Sequence, residues 1–315
     1  MVRVVFFGSS DSVFSNRHFR QLAASGCTVA GVVDVPPERR ASTNASRPEE
    51  GTFVETAKAA GIPCFKPARA SDPRFIEEMK ALQPDLFMAV GYMLRLGPKL
   101  LAVPRIVAAN FHASLLPAYR GKHPVFWALR NGEPECGLTV HEMSAGLDTG
   151  AIIFQVRVPV QSGDSVSSLY ERIMARSVPL VSRLVDAAAR GEVPRRPQPA
   201  EGASYFGATA EKDFRIDWSM EPARIVRWVT ATPGQCFFAA AGEKKIFLLD
   251  AAASSGRGGA RPGELLQLGR ASCLVAANDG AVEIRRVRVG GGPVTGAGDA
   301  LAEMGLAEGE TLGGD

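Results

Sequence analysis

This sequence has no closely spaced pair of cysteines. Its five, Cys27, Cys64, Cys136, Cys236 and Cys273, are scattered without a C-x-x-C spacing. That argues against a zinc ribbon or a disulfide framework and fits a reducing, cytoplasmic setting. No apolar run approaches the roughly 20 residues that span a bilayer, so no membrane segment is expected. The apolar start, Met1 to Phe7, is short and runs straight into a Gly-Ser-Ser turn, so it reads as a buried strand and not as a signal peptide. The four histidines show no H-E-x-x-H or comparable spacing, His141 included, and no metal is expected. Gly8-Ser9-Ser10-Asp11 is not G-x-G-x-x-G, which leaves a dinucleotide site unsupported. No second His and Asp combination gives Ser114 a serine triad. There is no internal repeat. Charge of either sign is not in large excess: the net value is +3. That suits an anionic substrate without demonstrating nucleic-acid binding. Basic residues do cluster at Arg39-Arg40, Arg195-Arg196 and Arg285-Arg286-Val287-Arg288, where the plain reading is solvated surface.

A chain of 315 residues with 46% hydrophobic and 22% charged residues is long enough to bury a large core and fits two globular domains. Apolar runs at Val2–Phe7, Cys27–Val35, Ile62–Phe65, Asp85–Val90 and Ile106–Phe111 alternate with helical stretches near Asn16–Ala24 and after Asp72-Pro73. Asp caps such a helix and Pro is preset for its first turn. This order predicts an α/β domain with an open, mostly parallel, Rossmann-like sheet. Strands at Leu138–Met143 and Ala151–Val160 follow. A helix beginning at Asp164 and running to about Arg190 should kink near Pro179. The first domain is placed at 1–190. A Pro-rich linker is placed at 191–206, extended and fairly stiff. A second domain is placed at 207–315. It has one helix (Pro222–Ala231), then short strands separated by Gly-rich turns, which suggests a small antiparallel barrel. Residues 254–259 read as a mobile loop tip and the last residues as a frayed end.

What the sequence does contain is Asn110-Phe111-His112-Ala113-Ser114-Leu115-Leu116-Pro117, then Gly146-Leu147-Asp148-Thr149-Gly150. In a strand, residues two apart share a face, so Asn110 and His112 project together. They fall at a strand's C-terminal end, where ligands bind in open α/β sheets. Asp148 sits in a Gly-flanked loop able to bring a carboxylate close. An amide, an imidazole and a carboxylate around one point suit acyl transfer to an amine: proton movement, orientation and a donor for the oxyanion.

These motifs, with Tyr119-Arg120-Gly121 between them, resemble the core of the formyltransferases that use 10-formyltetrahydrofolate. Val2–Gly8, Pro84–Tyr92 and Arg215-Ile216-Asp217-Trp218-Ser219 are similar to the methionyl-tRNA branch of that family, so the likeness covers most of the chain. The resemblance implies an OB-like C-terminal barrel. It implies a folate pocket bordered by Met88, Val90 and Tyr92 and, opposite, by Leu138, Gly146 and Leu147. Gly8, Ser9, Ser10, Ser114 and Arg120 would lie on the acceptor side. The amides of the Gly8–Asp11 turn either line that cleft or bind an anion, unless the turn is simply a tight strand-to-helix connection.

In the implied reaction, Asn110 and a protonated His112 stabilise the oxyanion while Asp148 holds His112 and routes the proton. The acceptor stays open. Initiator methionyl-tRNA is favoured because the likeness runs through the C-terminal third. An amino sugar or other small amine is the alternative, because Lys122-His123-Pro124 replaces the two alanines and Pro-Ile usual in the tRNA enzymes. The stretch 36–47 also lacks their lysine pair. Water as acceptor would make the chain a hydrolase. A folate- or RNA-binding module without activity would have a broken trio, and here it is whole. The sequence gives no oligomeric state.

Overall fold

The computed structural model describes residues 1–39, 51–239, 244–255 and 259–313. Arg40, the rest of the stretch to position 47, the centre of the 254–259 loop and the last two residues lie outside them. The side chain of Arg39 does too.

The elements run β1 (Arg3–Gly8), α1 (Val13–Ala23), β2 (Thr28–Asp34), α2 (Phe53–Ala59), β3 (Cys64–Phe65), α3 (Pro73–Ala81), β4 (Leu86–Val90), α4 (Pro98–Leu101), β5 (Val107–His112), β6 (Arg120–Gly121), α5 (Pro124–Asn131), β7 (Glu135–Glu142), β8 (Ile152–Pro159), α6 (Val166–Ser177) and α7 (Pro179–Arg190). After them come β9 (Tyr205–Phe206), α8 (Pro222–Ala231), β10 (Phe237–Ala239), β11 (Lys245–Ser254), β12 (Leu265–Leu268), β13 (Cys273–Ala277), β14 (Gly280–Val289), β15 (Val294–Gly296) and α9 (Ala297–Glu303).

The first sheet has the order β3-β2-β1-β4-β5-β7-β8. Its first five members pair in parallel and β7 runs antiparallel to β5. Strands β1 and β4 are central and apolar, as buried parallel strands must be. One helix starts where the sequence says it should. Asp72 caps α3 through the Arg74 amide with Pro73 in the first turn. The sequence reading passes over α2, although Thr52 and Glu55 form a capping box there. Pro179 divides the expected long helix in two. Its start also shifts: Ser165, not Asp164, accepts from the first-turn amide, that of Ser168.

On one side of the sheet Phe6, Phe19 and Phe53 meet edge to face, with Phe6 5.2 Å from each of the others. All three are essentially free of solvent contact. Burying each such side chain contributes about 1.5–3 kcal/mol. His18 lies in the same layer, fully buried. Its Nδ1 donates to the Phe14 carbonyl (2.7 Å), and its Nε2 faces the Ser177 hydroxyl (3.0 Å). Burial outweighs the Phe14 bond and lowers its pKa from 6.5 to about 4. Protonation therefore favours the unfolded chain. Stability is intact above pH 6.5 and declines as pH falls from 6.5 towards 4, by on the order of 3 kcal/mol. Urea unfolding at pH 7.5 and 4.5 should show that difference, and His18→Gln should shrink it.

By packing, the chain divides into two units that are not consecutive stretches. The first holds residues 1–124, 135–158 and 171–206; the second holds 125–134, 159–170 and 207–315. Within the second unit, α5 is tied to α8. The Arg130 guanidinium lies 3.6 Å over the Trp228 ring, and the Trp228 indole donates to the Arg130 carbonyl (3.1 Å). A cation on an indole face is among the stronger side-chain contacts, which draws α5 to this unit. The stretch 191–206, expected as a linker, is built into the first unit: Arg196 bridges to Ile152 and β9 pairs with β6.

The second unit carries an antiparallel sheet in the order β10-β11-β14-β13-β12, with β15 alongside β14. Ile225, Trp228, Phe238, Ile246, Leu248 and Val282 lie in its core. Among the described residues β10 and β12 stand at the two ends of this order. No described helix is long and apolar enough to cross a membrane.

Candidate active site

Strand β5 ends at His112, and its register with β7 sets Asn110 opposite His141 and His112 opposite Thr139. The Asp148 loop joins β7 to β8. Three polar side chains from β5 and this loop therefore converge, and β7 adds a fourth.

His112 is buried, 7% exposed. Its Nε2 lies 2.8 Å from the Tyr119 carbonyl. A carbonyl only accepts, so Nε2 carries the proton. In the neutral ring Nδ1 is then a free base, and it faces Asp148 Oδ2 at 3.7 Å. Burial lowers the His112 pKa below 6.5, although the Asp148 charge and the Tyr119 bond pull it back up. Burial thus favours the neutral ring, whereas the resemblance implies a protonated His112. The sequence carries no measure of desolvation.

Asp148 is equally buried. Its backbone is left-handed, with φ of 55°. Burial pushes its pKa up. The hydrogen bond available from His141, the His112 charge and the Gly121 N–H (2.9 Å) outweigh burial and hold the carboxyl at about 2. It is ionised at every ordinary pH and is a weak base. Gly150 makes this loop possible, because a Cβ there would stand 1.8 Å from the Glu142 carbonyl.

His141, weighed in the sequence as a metal ligand and as part of a stretch resembling the amino-sugar enzymes, was not placed beside the trio. It is 2% exposed. Its Nδ1 donates to the Glu142 carbonyl (2.9 Å), which leaves Nε2 as an acceptor for the Asn110 amide at 3.1 Å. Nε2 also lies 3.4 Å from Asp148 Oδ1, to which a protonated ring would donate. The only signal in sequence is a polar residue inside an apolar strand. Among the described residues no group of three or more His, Cys, Asp or Glu side chains is placed to hold a metal.

The other candidate positions divide. Met88, Val90 and Leu138 have no solvent-accessible surface, so their side chains are core and not pocket wall. Strands β4 and β7 are interior to the sheet, which encloses them. Tyr92 packs edge to face on Phe7 at 5.3 Å, and its hydroxyl has no hydrogen-bond partner among the described residues. Leu147 is 52% exposed and Met93 41%, on the loops that follow β7 and β4. Arg95 ties those loops together by donating to the Ala145 carbonyl (2.6 Å). A Cβ on Gly146 would stand 2.3 Å from Thr149 Oγ1, so a larger residue there would have to displace the Thr149 side chain.

The Gly8–Ser10 turn uses its own amides. Ser9 N–H donates to Ser15 Oγ, and Ser10 donates through both N–H and hydroxyl to Asp34. They are not available to bind an anion, and the tight-turn reading holds. Ser114 is 1% exposed and its hydroxyl donates to the Ala118 carbonyl, so it braces a turn and does not face an acceptor. Arg120 is half-buried, with its guanidinium on Gln198 Oε1.

An open α/β sheet that carries an amide, two imidazoles and an ionised carboxylate at one strand end defines a group-transfer enzyme, equipped to move a proton and steady an oxyanion. The kinship is specific. Residues 2–185 match the family described as formyl transferase, and residues 209–304 match the formyl transferase C-terminal domain. The chain belongs to the formyl transferase family and is a transferase enzyme. It is 33% identical to the methionyl-tRNA formyltransferase of Citrifermentans bemidjiense, over 99% of this chain and 96% of that one. It is 32% identical to that of Stutzerimonas stutzeri, over 95% and 93%. In fold it is similar to an N-formyltransferase from Helicobacter canadensis solved with folinic acid and dTDP-3-aminofucose. The TM-score is 0.68 at 16% identity, over 91% of this chain and 100% of that one.

Proposed function

We propose that this enzyme transfers the formyl group of 10-formyltetrahydrofolate to the amine of methionyl-tRNA, with Asn110, His112 and Asp148 as the catalytic residues. The observation that carries the chemistry is the buried His112 with Nδ1 facing Asp148 Oδ2 at 3.7 Å. What favours the tRNA acceptor is similarity over both domains to the methionyl-tRNA enzymes, with nearly the whole of each chain covered. The division of labour belongs to the same proposal: the 1–190 region holds the folate and the chemistry, and 207–315 recognises the acceptor.

The folate suits the residues present. Exposed Met93 and Leu147 offer apolar surface for a flat heterocycle on two tethered loops. Asn110 presents an N–H to the oxygen of the formyl group as the amine attacks and charge builds there. His112 accepts the proton that the amine sheds when its bond to the formyl carbon forms. Asp148 stabilises the resulting imidazolium. His112 then returns the proton to the folate nitrogen as its bond to that carbon breaks. A carboxylate with a pKa of about 2 holds a proton poorly, which gives the base role to His112.

His141 keeps the Asn110 amide turned so that its second N–H is free for the formyl oxygen. His141→Leu should lower turnover on the order of tenfold, the scale of one lost hydrogen bond in the transition state. His141→Gln, which can still accept from Asn110, should retain more. Equal losses in the two variants would remove this role.

The proposal as a whole is tested by supplying 10-formyltetrahydrofolate with methionyl-tRNA, an amino sugar nucleotide, or no acceptor, and following tetrahydrofolate release. Release only with methionyl-tRNA is expected. Release without any acceptor would make the chain a hydrolase.

A further inference from the structure

We propose that Gln198 is a positioning residue for Asp148, and that residues 196–206 form a strap that sets the geometry of the site. This rests on the reading of Asp148 as catalytic. The Gln198 side-chain amide donates to two carbonyls of the Asp148 loop, those of Asp148 itself and Gly150, each at 2.8 Å. Its own carbonyl oxygen accepts from Arg120 Nε (3.2 Å) and Nη2 (2.8 Å). One side chain therefore joins the loop bearing the carboxylate to the segment bearing its backbone donor, Gly121.

The same strap grips that segment at several further points. Ser204 Oγ accepts from the Tyr119 N–H, and the Ser204 carbonyl accepts from the Arg120 N–H, both at 2.9 Å. The Lys122 N–H donates to the Phe206 carbonyl (2.9 Å), and the Phe206 ring stacks on Tyr119 at 4.9 Å. Approach is so close that a Cβ on Gly121 would stand 2.1 Å from the Phe206 carbonyl oxygen. At the other end, Arg196 pairs with Ile152 just after the loop. Tyr119 and Gly121 are the backbone groups that hold His112 Nε2 and Asp148 Oδ2. The strap thus fixes both partners of the His112–Asp148 pair through their supports.

Asp148 needs this help. Its left-handed backbone is one that non-glycine residues adopt at a cost. Within its loop the side-chain bonds run from Ser144 to the Gly146 carbonyl and to Thr149. The carbonyls at 148 and 150 are held from outside the loop, by Gln198. A shift of about 1 Å in such a group costs on the order of a hundredfold in rate.

The experiment compares Gln198→Ala and Gln198→Glu with the wild-type protein. The second keeps the shape but sets an oxygen against two carbonyls, so it should be the slower enzyme. Turnover is expected to fall roughly tenfold to a hundredfold, with little change in KM for the folate. In an Asp148→Ala background, Gln198→Ala should cost almost nothing further, because it acts through Asp148. An equal loss in both backgrounds would overturn the proposal. Amide hydrogen exchange gives a readout that needs no activity: peptides covering 146–150 should exchange on the order of tenfold faster in Gln198→Ala, with the central strands unchanged. Unchanged exchange in that loop would also overturn it. Normal turnover in Asp148→Ala would instead refute the catalytic reading, and the exchange result would still decide the strap.

Discussion

Alanine at Asn110, His112 or Asp148 lowers formyl transfer by on the order of a hundredfold or more, the scale of a lost general base or oxyanion donor. Folate affinity should change far less, because none of the three supplies the apolar surface offered by Met93 and Leu147. Stability should fall modestly. Asp148→Ala strips the Gly121 N–H of its acceptor, and an unsatisfied buried donor costs about 1–3 kcal/mol. Thermal unfolding separates that effect from the chemical one. The pH dependence carries a sign. In the proposed mechanism His112 acts as a neutral base, and burial lowers its pKa from 6.5. Turnover should therefore be level above 6.5 and fall as pH drops through that lower value. Asp148, at about 2, contributes nothing to this limb. Near-normal turnover of His112→Ala with every acceptor would end the mechanism. An acid limb centred above 6.5 would end the assignment of its base.

Formylation of methionyl-tRNA, measured as kcat/KM, falls steeply with added salt, with a log–log slope of roughly minus one per phosphate contacted. Across several contacts this amounts to about a thousandfold between 50 and 200 mM. The basic clusters are not equal candidates for those contacts. The Arg195 guanidinium is held by Glu142 (3.2 Å) and the Ile106 carbonyl (2.7 Å). Arg285 is paired with Glu283 at 2.8 Å, and Arg288 lies over Phe247 and donates to the Gly234 carbonyl. Arg196 and Arg286 are exposed. Replacing those two together by alanine should reduce the slope by about two. Replacing Arg285 and Arg288 should change it less. A rate on a small amine that ignores salt, with no formylation of methionyl-tRNA, would assign the enzyme to the small-amine alternative.

Much of this was legible in the sequence because the signals are local. Period-two projection puts Asn110 and His112 on one face, and β5 keeps them so. Apolar runs marked the central strands, and Asp72-Pro73 marked the start of α3. The second unit has antiparallel strands after its helix, as glycine-rich turns between short apolar runs suggest. Local pattern failed where the partner is distant. Gly8-Ser9-Ser10 looks like an anion-binding turn until Asp34, far along the chain, takes the Ser10 amide. Met88 and Val90 lie on the strand that borders the expected pocket, but a strand flanked on both sides by others buries its side chains completely.

By itself, the sequence determined the family and the reaction class and pointed to the proposed trio, since each rests on residue identity and short spacing. The tertiary structure alone decided what those groups are. It placed His141 against Asn110, because the pairing of β5 with β7 is a long-range choice that no local period encodes. It lowered the pKa of His112, because desolvation depends on everything packed around the ring. It tied a proline-rich stretch that reads as an extended, fairly stiff linker to the site through Gln198, because Arg120 and the carbonyls of the Asp148 loop meet that side chain only once the chain has folded.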